Sequence, residues 1–203
     1  MSVDGFVFVD LETTGTASAT CDILEIGFAL YDADLELADR FEILPITTGT
    51  ADLIGKLRAG TDENSQFITH MHTANGLFAD LESAIADATE LPADLTGYET
   101  TIVDTLTRWG VDKTTPMCGS SLRMDREFLA RHMPRIDELF SYRIVDASSF
   151  REAGMVLDSE RTTGRINLVA EFGAPTHRVA ADMHHSANLL RVFHDRAPLP
   201  FAA

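Results

Sequence analysis

Residues 3–15, which read VDGFVFVDLETTG, decide the fold of this chain. Their first part, Val3–Asp10, is an apolar run rich in valine and phenylalanine, which is typical of a buried β-strand. Asp10 and Glu12 lie two residues apart, so an extended chain places both carboxylates on one face, next to a Thr-Thr-Gly loop. Such carboxylates are costly to bury without a partner, and a divalent cation is one suitable partner. Alone, this Asp-x-Glu pattern is also typical of a strand end that enters solvent.

Two more strands are predicted beside this one. The apolar runs Ile23–Tyr31 and Leu35–Leu44 complete an antiparallel meander with the first strand. Apolar residues then recur at helical spacing over residues 77–88 and again over residues 95–109. The segment Thr47–Ser65 shows no clear pattern and is predicted as a loop.

The rest of the chain alternates predicted strands and helices. A strand over Thr115–Gly119 leads into a helix from Ser120-Ser121, a strand over Tyr142–Val145 leads into a helix from Ser148, and helical segments cover Asn167–Phe172 and Arg178–Phe193. No repeat, low-complexity tract or linker interrupts this order. The simplest prediction is one α/β domain over residues 1–203.

The charge balance restricts the class of partner. Acidic residues outnumber basic ones by 32 to 16, which gives a net charge of −16. A long nucleic acid is repelled by such a chain, because tight binding to its backbone depends on lysine and arginine displacing counterions. A long duplex is therefore excluded as a partner. Short nucleotides remain compatible, since carboxylates gathered around divalent cations hold an anionic substrate indirectly.

Cysteine count and hydropathy predict a soluble, cytoplasmic protein with no membrane partner. Cys21 and Cys118 are too few for a disulfide framework or a cysteine-only zinc site, which fits a reduced compartment. No segment approaches the roughly 20 uninterrupted apolar residues that span a bilayer, and the N-terminus lacks the pattern of a signal peptide.

Three further residues strengthen the case for metal chemistry. Asp125 lies near the start of a predicted helix just after the Thr115–Gly119 strand, and Asp182 lies in the last helix, five residues after His177. Four converging carboxylates suit two hard cations about 3.5–4 Å apart, and a nearby histidine can take a proton from an attacking water. Individually, Asp125 and Asp182 are also compatible with a helix N-terminal charge and a solvated helix position.

The ordered set Asp10–Gly15, Asp125 and His177–Asp182 resembles the three motifs of the DEDDh 3′–5′ exonucleases. The sister group has a tyrosine four residues before the last aspartate, whereas this chain has Arg178. The resemblance implies an α/β, RNase H-like exonuclease fold with a mixed five-stranded sheet flanked by helices. It also implies two Mg²⁺ or Mn²⁺ ions per active site, with His177 as the general base. The implied metal ligands are Asp10, Glu12, Asp125 and Asp182.

Within that superfamily, the chain resembles the oligoribonuclease family, which degrades very short RNAs. The segment His72–Leu77 is similar to the family's His-x-x-Ser-Gly-Leu, with Asn75 in place of serine, and Phe67 falls where the family has a base-contacting tryptophan. The segment Tyr142–Ser148 is similar to the family's Tyr-Arg-x-x-Asp-x-Ser. The resemblance thereby implies a set of substrate-binding residues: Leu11, Thr14, Phe67, His72, Ser121, Tyr142, Arg143, Ser148 and Arg151.

In that family, a cap over the 5′-terminal phosphate limits the length of the substrate. The resemblance implies that Arg143 pairs with this phosphate while Ser121 and Ser148 donate hydrogen bonds, with Arg151 in the place of a family lysine. Ordinary structural roles are also compatible with the sequence, since Arg143 fits a strand and Ser148 fits a helix N-cap.

The resemblance also implies a homodimer, because family members are homodimers. The resemblance further implies that Tyr142 and His72 lie towards the active site of the neighbouring subunit. Tyr142 is also compatible with an ordinary strand position.

The sequence therefore predicts a metal-dependent 3′–5′ exoribonuclease that converts short oligoribonucleotides, dinucleotides included, to 5′-mononucleotides. One departure from the family is Thr16, which stands where a leucine usually wedges between two bases, and a small polar residue stacks poorly on bases. Two alternatives stay open: a DEDDh exonuclease of broader single-stranded DNA or RNA specificity, RNase T-like or proofreading-like, and a catalytically silent nucleotide-binding module. Metal-dependent hydrolysis of any oligonucleotide separates the enzymes from the silent module.

Overall fold

The computed structural model describes residues 3–201. Its strands are β1 (Phe6–Thr13), β2 (Ile23–Tyr31), β3 (Leu37–Ile43), β4 (Met117–Gly119) and β5 (Ile144–Asp146). They form a five-stranded sheet in the order β3-β2-β1-β4-β5. β1, β2 and β3 pair antiparallel, as the meander predicted, whereas β4 runs parallel to both β1 and β5. The sheet is therefore mixed, and the predicted fold class is confirmed.

Helices in the described part of the chain flank this sheet. They are α1 (Thr50–Ala59), α2 (Glu63–Ala74), α3 (Leu77–Asp87), α4 (Thr96–Arg108), α5 (Arg123–His132), α6 (Pro134–Leu139), α7 (Ala147–Leu157), α8 (Ser159–Ala170) and α9 (Val179–Phe193). Helices α4 to α6 contribute to one hydrophobic cluster with the sheet, and α7 to α9 contribute to a second. Helices α1 to α3 build a third cluster with Leu24 at the start of β2.

Side chains of β1 enter two hydrophobic layers, because successive residues of a strand point to opposite faces. Val9 is buried with Ile102 of α4 and Phe128 of α5. Phe8 is buried in the other layer with Val179 of α9. Burial of apolar surface on both faces stabilises β1 and fixes the position of its carboxyl end.

A glycine in β2 lets the last helix lie directly on the sheet. A Cβ at Gly27 would lie 2.7 Å from Val179 Cγ2 and from Met183 Cε, which is too close for a real side chain. Gly27 also pairs with Asp10 in the register of β1 and β2. The close approach brings the first turn of α9, which contains Asp182, to the strand that contains Asp10.

The segment Thr47–Ser65 was predicted as a loop, and the structure corrects this prediction. It contains α1 and the start of α2. Ile54 and Leu57 of α1 are buried with Ile68 of α2 and Leu24 of β2. Three glycines in this segment and its few apolar residues hide the helical period, since glycine is a weak helix former.

One further helix was not predicted, and the boundaries of two others differ from prediction. Helix α6 was not predicted, and it begins with Pro134, which suits a first turn because proline has no N–H to leave unpaired. The predicted segment Asn167–Phe172 covers the end of the longer α8, which begins at Ser159 and ends at Ala170. The N-cap of α7 is Asp146, whose carboxylate accepts a hydrogen bond from the Ser148 N–H at 2.9 Å, so Ser148 lies inside the helix.

No helix among residues 3–201 combines the length and the apolar composition that crossing a membrane demands. Cys21 and Cys118 are free thiols, and Cys118 is buried in β4. Burial raises the pKa of the Cys118 thiol to about 12, so this group stays protonated at neutral pH.

Candidate active site

Acidic side chains from three elements converge at the carboxyl end of β1. Asp10 and Glu12 come from β1 itself, Asp125 from the first turn of α5 and Asp182 from the first turn of α9. Because β1 and β4 are parallel, both strands end at the same edge of the sheet. A cavity of about 380 Å³ opens at this edge, and Asp10, Glu12, His177 and Asp182 line it.

Asp125 lies behind the cavity rather than on its surface. Its side chain is buried, and its Oδ1 accepts a hydrogen bond from the Leu11 N–H at 3.1 Å. Asp10 Oδ2 is also buried, and it has no hydrogen-bond partner among the described residues. A buried carboxylate oxygen without a donor is costly, and a cation supplies the kind of partner that this oxygen lacks.

His177 joins two of the carboxylates in a compact group. Three potential ligand atoms lie within 4.8 Å of one another: a ring nitrogen of His177 and one carboxylate oxygen each of Glu12 and Asp182. Glu12 is buried, whereas His177 is exposed to solvent. The backbone of His177 has a φ of 54°, in the left-handed region that residues with a Cβ rarely adopt. An exposed imidazole beside two carboxylates is suited to accept a proton and pass it to solvent.

Burial disfavours the ionised form of each carboxyl group in this cluster, and repulsion between the carboxylates adds to this effect for Asp10 and Glu12. Burial, followed by repulsion from Asp125 and Asp182, raises the pKa of Asp10 well above its usual value. Burial and repulsion from Asp182 raise the pKa of Glu12 to about 8. Burial raises the pKa of Asp125 to about 7 and also raises the pKa of Asp182. Hard divalent cations prefer oxygen ligands and offset such repulsion, so the four carboxylates fit these ions.

We expect the free energy of unfolding of the metal-free protein to fall as the pH rises from about 6 to about 8. The folded protein keeps protons on Asp125 and Glu12 up to pH values of about 7 and about 8, whereas unfolded carboxyl groups lose theirs near pH ~4. The stability linked to these protons is fully present below pH ~4 and is lost as the pH rises through about 7 to 8. Thermal unfolding in the presence of a chelator measures this loss. Added Mn²⁺ is expected to raise the melting temperature more at the higher pH.

Glu12→Gln is the matched control for this pH dependence, because the amide has nearly the same shape and does not titrate. The melting temperature of this variant is expected to depend less steeply on pH than that of the unchanged protein. Equal slopes for the two proteins would contradict the prediction.

Three of the predicted phosphate-binding residues lie on the same cavity. Ser121, Ser148 and Arg151 line it together with Ser120 and Ser186. The hydroxyl oxygens of Ser120 and Ser186 are 2.8 Å apart, so these two side chains are joined by a hydrogen bond. Hydroxyl groups and a guanidinium thus give the cavity a polar wall that can bind a phosphate.

Asp146, which sequence reasoning did not single out as a site residue, organises this polar wall. Its Oδ1 accepts hydrogen bonds from the Ser121 N–H at 3.1 Å and from the Ser148 hydroxyl at 2.6 Å. Its Oδ2 accepts a hydrogen bond from the Leu122 N–H at 3.2 Å. Two sequence signals were available: Asp146 is the aspartate of the Tyr-Arg-x-x-Asp-x-Ser pattern, and it lies two residues before the predicted helix start at Ser148.

Apolar side chains form another part of the cavity lining. Leu11, Phe67, Met71 and Met124 contribute to it, and Thr16 lies at the same cavity. Phe67 is 61% exposed, so its ring is free to stack on a base.

Four of the predicted substrate-binding residues do not line the cavity, and three of them are Thr14, Tyr142 and Arg143. Thr14 is buried, and its hydroxyl oxygen accepts a hydrogen bond from the Asp22 N–H at 2.9 Å. Tyr142 is 81% exposed, and Arg143 Cζ lies 5.1 Å from the centre of the Tyr142 ring. In this conformation the Arg143 guanidinium therefore contacts Tyr142 rather than the cavity.

His72 is the fourth, and its position corrects an expectation. Its side chain is fully buried, with Nε2 3.4 Å from the Thr13 carbonyl oxygen and 3.9 Å from Glu12 Oε2. Burial lowers the pKa of His72, which favours the neutral ring. A side chain without exposed surface cannot reach a neighbouring subunit, so His72 supports the end of β1 within its own chain.

Arg178 and Glu25 form an ion pair that fixes the loop carrying His177. Arg178 Nη2 lies 2.8 Å from Glu25 Oε1, and Arg178 Nη1 lies 2.7 Å from Asp80 Oδ2. The Glu25 side chain is 4% exposed, and Glu25 pairs with Glu12 across β1 and β2. Sequence reasoning missed this pair, although a glutamate within the apolar run of β2 was a signal that a buried partner exists.

Curated relatives resemble this chain over most of its length, although no protein-family model matches it. The chain is 32% identical over 199 residues to the oligoribonuclease of Mycobacterium leprae, which covers 97% of this chain and 83% of that protein. It is 31% identical over 146 residues to the oligoribonuclease of Aliivibrio fischeri, which covers 72% of each chain.

Solved structures of exonuclease I share the RNase H-like fold. A product-bound exonuclease I superimposes with a TM-score of 0.59 at 15% identity, over 96% of this chain and 44% of that one. Exonuclease I from Methylocaldum szegediense superimposes with a TM-score of 0.51 at 15% identity, over 93% of this chain and 40% of that one. The present chain thus spans less than half the length of these exonucleases, and the likeness is one of fold.

Proposed function

The chain belongs to the oligoribonuclease family, and from that premise we propose that it degrades short oligoribonucleotides, dinucleotides included, from the 3′ end to 5′-mononucleotides. The observation that carries this proposal is the convergence of four carboxylates and His177 at one end of β1. We further propose that residues 1–203 act as one exonuclease domain.

We assign Asp10, Glu12, Asp125 and Asp182 as the ligands of two Mg²⁺ or Mn²⁺ ions. The raised pKa values of these groups and the unpartnered Asp10 Oδ2 support the assignment. When bound, such ions neutralise the phosphodiester, make a water more acidic and stabilise the leaving oxygen. The chain contributes rigid placement: β1 fixes two of the ligands, and the docked α9 holds Asp182 beside them.

His177 is proposed as the general base. Its imidazole accepts a proton from the water that attacks the terminal phosphorus, and it releases this proton to solvent because the side chain is exposed. The water oxygen forms a bond to phosphorus while the bond to the 3′-oxygen of the preceding nucleotide breaks. The 3′-oxygen keeps the bonding electron pair and takes a proton from solvent, so a 5′-mononucleotide and a shortened chain with a 3′-hydroxyl are the products.

The substrate is proposed to lie between the polar wall and the apolar part of the cavity lining. Ser121 and Arg151 bind the 5′-terminal phosphate, and Ser148 joins them if its hydroxyl turns away from Asp146 Oδ1. Phe67 stacks on a base. Arg143 joins the phosphate site if its guanidinium turns away from the Tyr142 ring. A phosphate site at a fixed distance from the carboxylates favours short substrates, and the net charge of −16 disfavours long ones.

We also propose a homodimer that works in the cytoplasm. The exposed Tyr142 ring can contact a second copy of the chain. Free thiols at Cys21 and Cys118 suit a reducing compartment.

A time course on 5′-labelled RNAs of two, five and twenty nucleotides, with Mg²⁺ and with Mn²⁺, tests the proposed function. We expect the fastest cleavage for the dinucleotide and a steep fall with length. Comparable or faster cleavage of the longest RNA would move the assignment to a DEDDh exonuclease of broader specificity, a result that Thr16 in the place of a wedging leucine would then explain. No cleavage of any RNA would favour a silent nucleotide-binding module.

A further inference from the structure

We propose that Asn75 is a positioning residue for His177, through which the C-terminal end of α2 sets the place of the general base. This inference rests on the proposed role of His177. Asn75 directly follows α2 and precedes Gly76, whose φ of 84° turns the chain into α3. The side chain of Asn75 is half-buried at this turn.

The Asn75 amide joins two backbone segments that are distant in sequence. Its Nδ2 donates a hydrogen bond to the His177 carbonyl and lies 3.4 Å from the Thr176 carbonyl oxygen. Its Oδ1 accepts a hydrogen bond from the Leu77 N–H at 3.0 Å. Because the donor end and the acceptor end are both used, the amide is held in one orientation. A single side chain therefore ties the start of α3 to the loop that carries His177.

The loop needs such a contact at His177 itself. His177 is exposed and has a left-handed backbone, a conformation that persists where surrounding contacts determine it. On one side, the Thr176 N–H donates a hydrogen bond to Asp182 Oδ1 at 2.8 Å. On the other side, Arg178 is held by Glu25 and Asp80. Asn75 acts between these two anchors, on the carbonyl of the general base.

Helix α2, which ends next to Asn75, also carries a residue of the apolar cavity lining. Phe67 lies eight residues before Asn75, about two turns earlier in α2, and it lines the cavity. The proposed base-stacking ring and the proposed proton acceptor thus take their positions from one helix. A substrate stacked on Phe67 is thereby placed in a fixed relation to His177.

Asn75→Asp tests this inference, because aspartate keeps the acceptor for the Leu77 N–H but has no donor for the His177 carbonyl. We expect kcat for a diribonucleotide to fall about tenfold, with KM and Mn²⁺ affinity changed less than about twofold, since the carboxylates are held by other elements. Asn75→Ala is expected to show a similar fall in kcat. Asn167→Ala, at an exposed position of α8, is the matched control and is expected to keep the original kcat.

A double-mutant cycle with His177→Ala distinguishes positioning from general damage to the fold. In the His177→Ala background, Asn75→Asp is expected to change kcat by less than about twofold, because no general base remains to be positioned. Losses that multiply in the double variant would overturn the inference, and so would an unchanged kcat for Asn75→Asp alone. Full activity of His177→Ala would instead contradict the proposed function, so the two failures are distinguishable.

Discussion

Replacement of Asp10 by alanine is expected to lower kcat for a diribonucleotide by about a thousandfold or more while the protein stays folded. Metal ions in fixed positions lower the activation free energy of phosphodiester cleavage by several kcal/mol. Each 1.4 kcal/mol changes the rate about tenfold. The fold tolerates the change because Asp10 Oδ2 has no hydrogen-bond partner in the described chain and its carboxylate is repelled by its neighbours. Initial rates with Mn²⁺ and a thermal melt measure the two effects.

Asp104→Ala is the control for this loss of activity. Asp104 is an exposed acidic residue of α4, so its replacement changes the net charge by the same amount outside the cavity. Its kcat is expected to match that of the unchanged protein. An Asp10→Ala variant with full activity would refute the assignment of the metal ligands.

Replacement of Arg178 by methionine is expected to have the largest effect on stability. The Glu25 side chain is 4% exposed, and without Arg178 it loses its charged partner beside the carboxylate of Glu12. Leaving one member of a buried pair uncompensated costs about 3–5 kcal/mol, and the partial exposure of Arg178 places the expected loss at about 2–3 kcal/mol. The variant is also expected to lose kcat because the His177 loop loses an anchor. Urea unfolding and initial rates measure the two losses.

Two further variants check the cause of this destabilisation. The double variant Glu25→Gln with Arg178→Met removes the stranded charge and is expected to recover much of the stability. Arg161→Met breaks a surface ion pair with Asp195, in which both side chains are largely exposed, and is expected to cost less than about 1 kcal/mol. Similar losses for Arg161→Met and Arg178→Met would show that burial of Glu25 is not the cause.

The central sheet was predictable because it depends on local patterns. Apolar runs predicted β1 and β2, and the two-residue spacing of Asp10 and Glu12 predicted carboxylates on one face of β1. The helical pattern of residues 178–193 placed Asp182 in the last helix, five residues after His177, and the structure brings both side chains to the cavity. These predictions needed neither the distances between elements nor the identity of the packing partners.

The parts that could not be predicted depend on contacts between distant residues. Glu25 and Arg178 are 153 positions apart, and neither residue type alone indicates its partner. His72 matched a family segment, yet its buried place beside Thr13 and Glu12 depends on contacts between distant residues and not on its neighbours in sequence. The helix α1 was missed for a different reason, because its apolar positions are few and Gly55 interrupts them.

The last helix of the described chain completes the cavity, and this order has a consequence during protein synthesis. Domains emerge from the ribosome with the N-terminal part first, so β1 is made long before α9. When Asp10 and Glu12 have emerged from the ribosome, Asp182 and His177 have not yet been made. The group of proposed metal ligands is then incomplete. Nuclease activity therefore requires that translation has passed α9. A chain that terminates before α9 lacks Asp182 and is expected to have no nuclease activity.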